Sequence, residues 1–300
     1  MKVLILGSEG FIGRNCVEYF LKKGNEVFGI DLIDKSTQSY RYYQLMPNGN
    51  YDVFFSDNGF DACVNAAGNG NVSLSMVNPF NDYNSNCTDL IKVLECIRKY
   101  SPECRFLHIS SAAVYGNPVK LPVVETDICK PLSPYGWHKM ISEQICKEYH
   151  SLYKTNVCCI RPFSVYGVGL KKQLFWDIYQ NTLKNKNVEL WGTGDESRDF
   201  IYITDLVNVI SLLIEGAKMN GEMYNVGTGT ESFIKDVAEA FCKNINPNIR
   251  VSFNNKVRVG DPINWRADIS KINSHGFKQN VSLNEGIGHL TTWLKKDNQS

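Results

Sequence analysis

Two side chains that could move a proton together are Tyr135 and Lys139. They stand four residues apart in a segment with helical spacing of apolar residues, so both are expected on one face of a helix. A tyrosine that takes or gives a proton near neutral pH needs its phenolate stabilised, and a neighbouring ammonium group can do that. Because Tyr19 and Lys23 have the same spacing, the pair indicates catalysis only together with other groups.

Ser110 and Ser111 are the candidate partners of this pair, since they end a predicted strand that starts at Arg105. In a doubly wound sheet, ligands bind at the carboxyl ends of the strands. A hydroxyl group there can hydrogen-bond a substrate oxygen on which charge develops. Two serines at a strand end are otherwise a polar turn, and it is the combination with Tyr135 and Lys139 that indicates an active site.

A glycine-rich turn formed by Gly7, Gly10 and Gly13 separates the first predicted strand from the first predicted helix. Glycine permits a tight turn and a close approach of backbone amides to a pyrophosphate, which the helix N-terminus also attracts. Asp31 directly follows the second strand, where a carboxylate can accept hydrogen bonds from both adenosine ribose hydroxyls and repel the extra phosphate of NADP. These residues predict bound NAD, the alternative being a structural turn and a helix-capping aspartate.

Strand-like apolar runs alternate with helical patterns through the first half of the chain. The expected strands cover 2–6, 26–30, 61–65, 105–110 and 156–161, and the expected helices cover 12–23, 81–100 and 135–153. Such alternation implies parallel strands joined by right-handed crossovers. We therefore expect an α/β fold with a doubly wound parallel sheet of the Rossmann type.

After about residue 165 the elements become shorter, with helices expected near 205–218, 235–244 and 283–295. This change predicts an NAD-binding domain over residues 1–165 and a smaller mixed α/β lobe for the substrate over 166–300. The boundary is expected to be discontinuous, with some later elements packing back on the first domain. No linker separates the halves, so a cleft should lie between them.

The composition argues against several classes of function. A net charge of +1 over 300 residues gives no basic face for nucleic acid, and no apolar stretch approaches the length of a membrane span. The ten cysteines contain no C-x-x-C pair, which favours buried thiols over a disulfide framework or a metal site. We expect a cytoplasmic protein without a metal and without nucleic-acid or membrane partners.

Taken together, the motifs resemble those of an extended short-chain dehydrogenase/reductase of the NAD-dependent epimerase/dehydratase family, in particular its 4-epimerase-like members. The matching segments are 7–13, 65–68, 110–116, 133–139, 161–167, 198–202, 224–227, 258–262 and 267–268. They span nearly the whole chain in the expected order.

The resemblance implies a role for each catalytic residue. Tyr135 would be the acid/base, Lys139 would bond the nicotinamide ribose while lowering the tyrosine pKa, and Ser111 would hold the reacting sugar hydroxyl. Arg198 and Arg258 match family arginines that grip the nucleotide pyrophosphate, for which a guanidinium group is well suited.

The resemblance also implies the remaining binding residues. For the cofactor these are Gly7, Gly10, Phe11, Ile12, Gly13, Asp31, Ala66, Ala67, Gly68 and Ser110, together with Tyr135 and Lys139. Ser164 stands where the family commonly has an asparagine that contacts the sugar nucleotide, so a different pocket is expected. The stretch between Asp31 and Asn65 is shorter than usual and lacks the segment that normally lies over the adenine.

The reaction is narrowed by Ala112 and Ala113, which stand where family dehydratases carry an Asp-Glu pair. A 4,6-dehydratase is therefore not expected, and segment 110–116 resembles the nucleotide-hexose 4-epimerases instead. In that mechanism Tyr135 removes the C4 hydroxyl proton while NAD takes the C4 hydride. The keto sugar then turns over before the hydride returns.

Other functions remain open. A net C4 dehydrogenase or 4-ketoreductase needs the same residues. A non-catalytic NAD-binding regulator would not need Ser111, Tyr135 and Lys139 together, and a reductase of small carbonyl compounds would have no use for the two arginines. The family also pairs helices corresponding to 81–100 and 135–153 in a homodimer, although here their apolar faces could equally form intrachain core.

Overall fold

The structure is a computed structural model that describes residues 1–34, 39–46, 49–184, 187–256 and 260–297. The strands are β1 (Lys2–Leu6), β2 (Glu26–Asp31), β3 (Arg41–Gln44), β4 (Ala62–Asn65), β5 (Arg105–Ile109), β6 (Val157–Pro162), β7 (Ser164–Tyr166), β8 (Asn187–Leu190), β9 (Ser197–Arg198), β10 (Phe200–Tyr202), β11 (Asn220–Val226), β12 (Ser232–Phe233) and β13 (Arg250–Phe253).

The α-helices alternate with these strands through the first half of the chain. They are α1 (Phe11–Lys22), α2 (Asp52–Ser56), α3 (Val72–Val77), α4 (Pro79–Tyr83), α5 (Asp89–Tyr100), α6 (Pro134–Tyr153), α7 (Gln173–Thr182), α8 (Ile203–Gly216), α9 (Ile234–Ile245), α10 (Ser270–Asn273) and α11 (Leu283–Asp297). A π-helical turn (Asn84–Thr88) joins α4 to α5, and a 3₁₀ turn (Ala112–Val114) follows β5.

The main sheet has seven strands in the order β3-β2-β1-β4-β5-β6-β11, and every neighbouring pair is parallel. The strand order reverses between β1 and β4, which opens a crevice at their carboxyl ends. The predicted doubly wound parallel sheet is confirmed.

Both faces of the sheet are buried, and alternate residues of β1 show how. Val3 and Ile5 belong to the core layer that contains residues of α1 and α8, whereas Leu4 and Leu6 belong to the layer that contains residues of α5 and α6. This period of two, with apolar side chains on both faces, is what a parallel sheet covered on both sides requires.

The helix expected over 81–100 is interrupted in the structure. The first part begins at Pro79, where the Asn78 side chain accepts a hydrogen bond from the Asn81 amide at 3.2 Å, and it gives way to the π-helical turn before α5 begins. A π-helical turn widens the hydrogen-bond ladder by one residue, and such turns are frequent at functional sites. Apolar periodicity alone does not reveal it.

The C-terminal half contributes to both parts of the molecule. β11 pairs with β6 at one edge of the main sheet, and α8 packs on α1 and β5. Three two-stranded sheets, β7 with β10, β9 with β12 and β8 with β13, lie beside α7, α9 and α11. The division at residues 165 and 166 stays a prediction.

A membrane span requires a helix of sufficient length and hydropathy. Among the described residues, no helix is long and apolar enough to cross a membrane. All ten cysteines are free thiols, nine of them buried and Cys129 half-buried.

Candidate active site

The glycine-rich turn after β1 is packed too closely for larger residues. Gly7 has a φ of +72°, and a Cβ atom there would lie 2.8 Å from the backbone nitrogen of Ala67, while a Cβ atom on Gly13 would collide with the carbonyl of Gly7. Among the residues that the structure describes, no side chain caps the N-terminus of α1 at Gly10. Uncapped amides at a helix N-terminus can bind an anion, and the pyrophosphate site predicted at this turn stays a prediction.

The carboxylate of Asp31 is held in place at the end of β2. One oxygen accepts a hydrogen bond from the Glu9 amide at 2.9 Å and the other from the Leu32 amide at 2.7 Å. The hydroxyl of Tyr40 donates to the Glu9 carboxylate at 2.6 Å. Because a carboxylate has about four acceptor positions, Asp31 can still accept bonds from a ribose.

A cavity of about 230 Å³ opens near Asp31, in the region for which the sequence offered no adenine-binding segment. It is lined by Leu32, Leu45, Met46, Gly49, Asn84, Thr88, Asp89 and Lys92. These residues come from the segments that follow β2 and β3, from the π-helical turn and from the start of α5. Their separation in sequence explains why no local motif pointed to them.

The segment after β4 continues the same edge of the sheet. The Ala66 amide donates to Leu6 O at 3.0 Å, and the Ala67 amide donates to the Asn65 side chain at 3.2 Å. Gly68 has a φ of +109°, and a Cβ atom there would lie 2.6 Å from Oδ1 of Asn86 in the π-helical turn. Gly68 is thus the residue that lets this loop pack against the turn.

The helix α6 is started by groups that fix the position of Tyr135. Ser133 caps the helix by accepting a hydrogen bond from the Gly136 amide at 3.2 Å, and Pro134 occupies the first turn. The Tyr135 amide donates to Oγ of Ser75 in α3 at 3.1 Å. Sequence reasoning did not find Ser75, which comes from an element distant in sequence.

The three predicted catalytic residues come together at the end of β5. The Tyr135 side chain is hydrogen-bonded to that of Ser111. Nζ of Lys139 lies 6.0 Å from the centroid of the Tyr135 ring and donates to Ile109 O at 2.9 Å. A sugar hydroxyl placed between Ser111 and Tyr135 would meet both a hydrogen-bond partner and an acid/base.

Burial dominates the electrostatics of this group. It lowers the pKa of Lys139 to about 8, an effect that the Asp82 carboxylate opposes. Burial also raises the pKa of Tyr135, which the hydrogen bond with Ser111 partly offsets. Below pH 8, Lys139 is therefore an ammonium group that can stabilise a Tyr135 phenolate.

Ser110 does not join this group through its hydroxyl. The residue is 3% exposed, and its Oγ donates to Oε1 of Glu143 at 2.6 Å. Glu143 also forms a two-pronged ion pair with Arg161 at 2.8 and 2.7 Å. The hydroxyl of Ser110 supports this buried pair, so a cofactor contact at this residue would have to use its backbone.

The buried Arg161 extends this network beneath the site, and sequence reasoning missed it. Its Nη1 donates to the Tyr115 hydroxyl at 2.6 Å, and that hydroxyl donates to the Asn225 side chain at 2.7 Å. The network joins residues of α6, β6 and β11 to the segment after β5, and it satisfies groups that would be costly to bury alone.

The predicted substrate residues lie around the next strands. Ser164 begins β7, and its amide donates to Asp199 O at 2.9 Å. Arg198 donates to Ile263 O at 3.0 Å, and its guanidinium group lies 5.6 Å from the ring centroid of Trp265. Arg258 lies outside the described residues.

The Asp199 carboxylate holds together the backbone segments next to Arg198. Its buried carboxylate accepts hydrogen bonds from the amides of Thr228, Gly229 and Ala267 at 2.7, 2.9 and 3.0 Å. Three backbone segments thereby meet beside Arg198. The indole N–H of Trp265 donates to Gly116 O at 2.9 Å. Because Arg198 lies over the Trp265 ring, this bond links Arg198 to the loop after Ser111.

Comparison with known proteins agrees with this geometry. Residues 3–227 match the NAD dependent epimerase/dehydratase family. The chain belongs to this family. It is an enzyme with NAD as its cofactor, and the family membership inferred from the sequence is confirmed.

The relatives are similar over the whole chain. A putative UDP-glucose 4-epimerase of Methanocaldococcus jannaschii is 28% identical, with 99% of this chain and 100% of the relative covered. An uncharacterised UDP-glucose epimerase of Bacillus subtilis, YtcB, is 30% identical, with 98% of each covered. The crystal structure of the Bacillus cereus UDP-glucuronic acid 4-epimerase with UDP-glucuronic acid and NAD is 26% identical, with 99% of each covered and a TM-score of 0.88.

Replacing Gly13 with alanine should weaken NAD binding by tenfold or more, about 1.4 kcal/mol. The added methyl group would displace the Gly7 carbonyl and so distort the turn. NAD titration by calorimetry measures the effect. Gly288→Ala is the matched control, since a Cβ atom there would meet none of the described residues outside its own helix within 4 Å, and an equal affinity for NAD in both variants would contradict the prediction.

The kcat/KM of the enzyme should fall as the pH rises through about 8, because Lys139 then loses its charge. The pH dependence of kcat/KM reports groups of the free enzyme. Lys139→Arg should be slower but should lack this decline, since arginine stays protonated. The same decline in that variant would assign it to another group.

Proposed function

We propose that the protein is an NAD-dependent epimerase that inverts C4 of a UDP-activated sugar. The observation that carries the proposal is the grouping of Ser111, Tyr135 and Lys139 at the sheet edge that also holds the glycine-rich turn. The 3₁₀ turn after Ser111 presents Ala112 and Ala113, which have no carboxylate to remove a C5 proton. The names of the relatives support the C4 position and the uridine diphosphate.

The residues at this edge suit NAD. The open N-terminus of α1 would receive the pyrophosphate, Asp31 the adenosine ribose, and the cavity lined by Leu45 and Lys92 the adenine. When bound, NAD supplies a hydride acceptor and donor for C4 of the sugar. We infer NAD rather than NADP because Asp31 would repel a phosphate on the ribose.

Tyr135 carries the proton in this proposal. Its phenolate takes the proton of the C4 hydroxyl group, which Ser111 holds by a hydrogen bond, and returns it when the hydroxyl forms again on the other face of the sugar. Lys139 stabilises the phenolate through its charge. One acid/base suffices because the Tyr135 oxygen holds the proton from its removal until its return to the sugar.

The sugar nucleotide would lie along the residues after β6. Arg198 is placed to contact the pyrophosphate, with Arg258 as a proposed second cation. Ser164, half-buried at the start of β7, would contact the sugar. We propose the same lobe, residues 166–300, as the main source of substrate contacts.

Epimerase activity is tested by incubating the protein and NAD with UDP-glucose, UDP-galactose and UDP-glucuronic acid. We expect one sugar to convert to its C4 epimer by NMR, with no net change in reduced-nicotinamide absorbance. Tyr135→Phe should lower kcat by about 100-fold or more. Tyr19→Phe, at the other tyrosine with a lysine four residues later, should not.

Two outcomes would replace this proposal. Stoichiometric gain or loss of the reduced cofactor with a keto sugar would make the protein a net dehydrogenase or 4-ketoreductase. Equal activity of Tyr135→Phe and the wild type would remove the catalytic role of Tyr135.

We also propose a homodimer formed through α4, α5 and α6. These helices expose large apolar side chains, among them Phe80 at 73%, Leu152 at 65% and Trp137 at 50%. Large apolar side chains exposed on neighbouring helices are typical of a protein interface. A cytoplasmic location is proposed as well, and the unpaired thiols suit a reducing compartment.

Leu152→Glu should convert the dimer to a monomer in sedimentation velocity, because the interface would have to bury a charge. Leu183→Glu is the matched control, since Leu183 is exposed at 49% outside these helices. A monomeric wild type, or a dimeric Leu152→Glu, would argue against this interface.

A further inference from the structure

Asp82 is a buried carboxylate next to the catalytic residues, and the proposed mechanism does not use it. It lies in α4 and is 1% exposed. One oxygen lies 2.5 Å from Nδ1 of His138, and the other accepts a hydrogen bond from the Asn69 side chain at 2.7 Å. A charge at such a depth is tolerated because both oxygens are satisfied.

The residue that contacts Asp82, His138, lies in α6 between Tyr135 and Lys139. Nδ1 must be the donor, since an ionised carboxylate only accepts. The edge of the Tyr83 ring packs on the imidazole with 5.3 Å between centroids. The His138–Asp82 bond therefore fixes the helix that carries the acid/base to α4.

Asn69 connects the same carboxylate to the loop after β4. It directly follows Gly68, and its Oδ1 accepts a hydrogen bond from the Asn71 amide at 3.0 Å. The Asn69 carbonyl accepts a further bond from the Asn86 side chain at 3.4 Å. Asp82 thus joins the loop beside the cofactor site to the helix that carries the catalytic residues.

The charge of Asp82 acts on both catalytic groups. It raises the pKa of Lys139 and that of Tyr135, because a negative charge favours the protonated form of each. Without it, burial would lower the pKa of the Lys139 ammonium further.

The other titratable groups that face Lys139 come from β5, β6, α6 and the π-helical turn. They are His108, Cys159, Cys146 and Cys87, in addition to Tyr135 and His138. Burial and the nearby Lys139 hold the pKa of His108 well below its usual value, so that imidazole is neutral. Burial raises the pKa of the Cys87 thiol to about 11. Among the groups described around Lys139, Asp82 is the one that carries a carboxylate.

We propose that Asp82 and His138 are positioning residues for the epimerase reaction: the carboxylate keeps Lys139 cationic and, through His138 and Asn69, holds the cofactor loop against the catalytic helix. This inference rests on the proposed function, but it makes separate claims about charge and geometry. It assigns Asp82 and His138 no contact with substrate or cofactor.

Asp82→Asn tests the charge, because it keeps the shape of the side chain. The alkaline limb of the pH profile of kcat, which Lys139 sets, should move to lower pH by about one unit, since the pKa of Lys139 falls. The KM for the sugar nucleotide should stay within about twofold, as the residue contacts no ligand. Glu18→Gln removes an equal charge from a side chain that is 69% exposed on α1, and should leave the alkaline limb in place.

His138→Asn and His138→Leu test the holding role, and they decide it even if Asp82→Asn does not fold. The asparagine amide can donate from nearly the position of Nδ1, so this variant should keep kcat within about threefold. The leucine leaves Asp82 short of a donor, and kcat should fall about tenfold or more. Equal kcat values for the two variants, or an unmoved alkaline limb in Asp82→Asn, would overturn the proposal.

A readout without turnover separates this inference from the proposed function. The titration of Tyr135 can be followed as the difference in tyrosinate absorbance between a protein and its Tyr135→Phe counterpart. On the Asp82→Asn background, Tyr135 should ionise at lower pH than on the wild-type background. That shift is expected even if the wild type epimerises none of the sugars, and its absence would overturn the role of Asp82 alone.

Discussion

Parallel strand pairing is the constraint on which the site depends. Because every strand of the main sheet runs the same way, the segments that follow them emerge at one edge. Gly7 follows β1, Ala66 follows β4 and Ser111 follows β5 by two residues. Asp31 ends β2 at the same edge. Residues scattered over a hundred positions of sequence thereby form one surface, whose loops can vary while the sheet stays unchanged.

The same edge must accommodate several charges that the fold takes out of water. Each is balanced locally: Glu143 by Arg161, Asp199 by three backbone amides, and Asp82 by His138 and Asn69. Removing one partner of such a group leaves a buried charge and is costly, which makes these contacts rigid supports. The Lys139 ammonium donates to the Ile109 carbonyl, and burial lowers its pKa to about 8, so its protonation depends on the groups around it.

Much of the fold followed from sequence patterns because those patterns are local. The expected strands at 2–6, 26–30, 61–65, 105–110 and 156–161 correspond to β1, β2, β4, β5 and β6. The helix expected over 81–100 is interrupted near its start by the π-helical turn, whose Asn86 packs against Gly68, a contact that apolar spacing does not encode. Ser110 shows a similar limit: its neighbour Ser111 bonds Tyr135, but its own hydroxyl bonds Glu143.

By itself the sequence determined the family and the doubly wound sheet, and it predicted Tyr135, Lys139, Ser111 and the glycine-rich turn as residues of the site. All of them are carried by residue types at short spacings in the chain. At such spacings, secondary structure alone decides where the side chains lie relative to one another. Only the tertiary structure decided which groups surround them. The Glu143–Arg161 pair, the cavity near Asp31 and the Asp82–His138 contact each join elements far apart in sequence. Their strength arises from burial and distance, and neither quantity exists until the chain has packed.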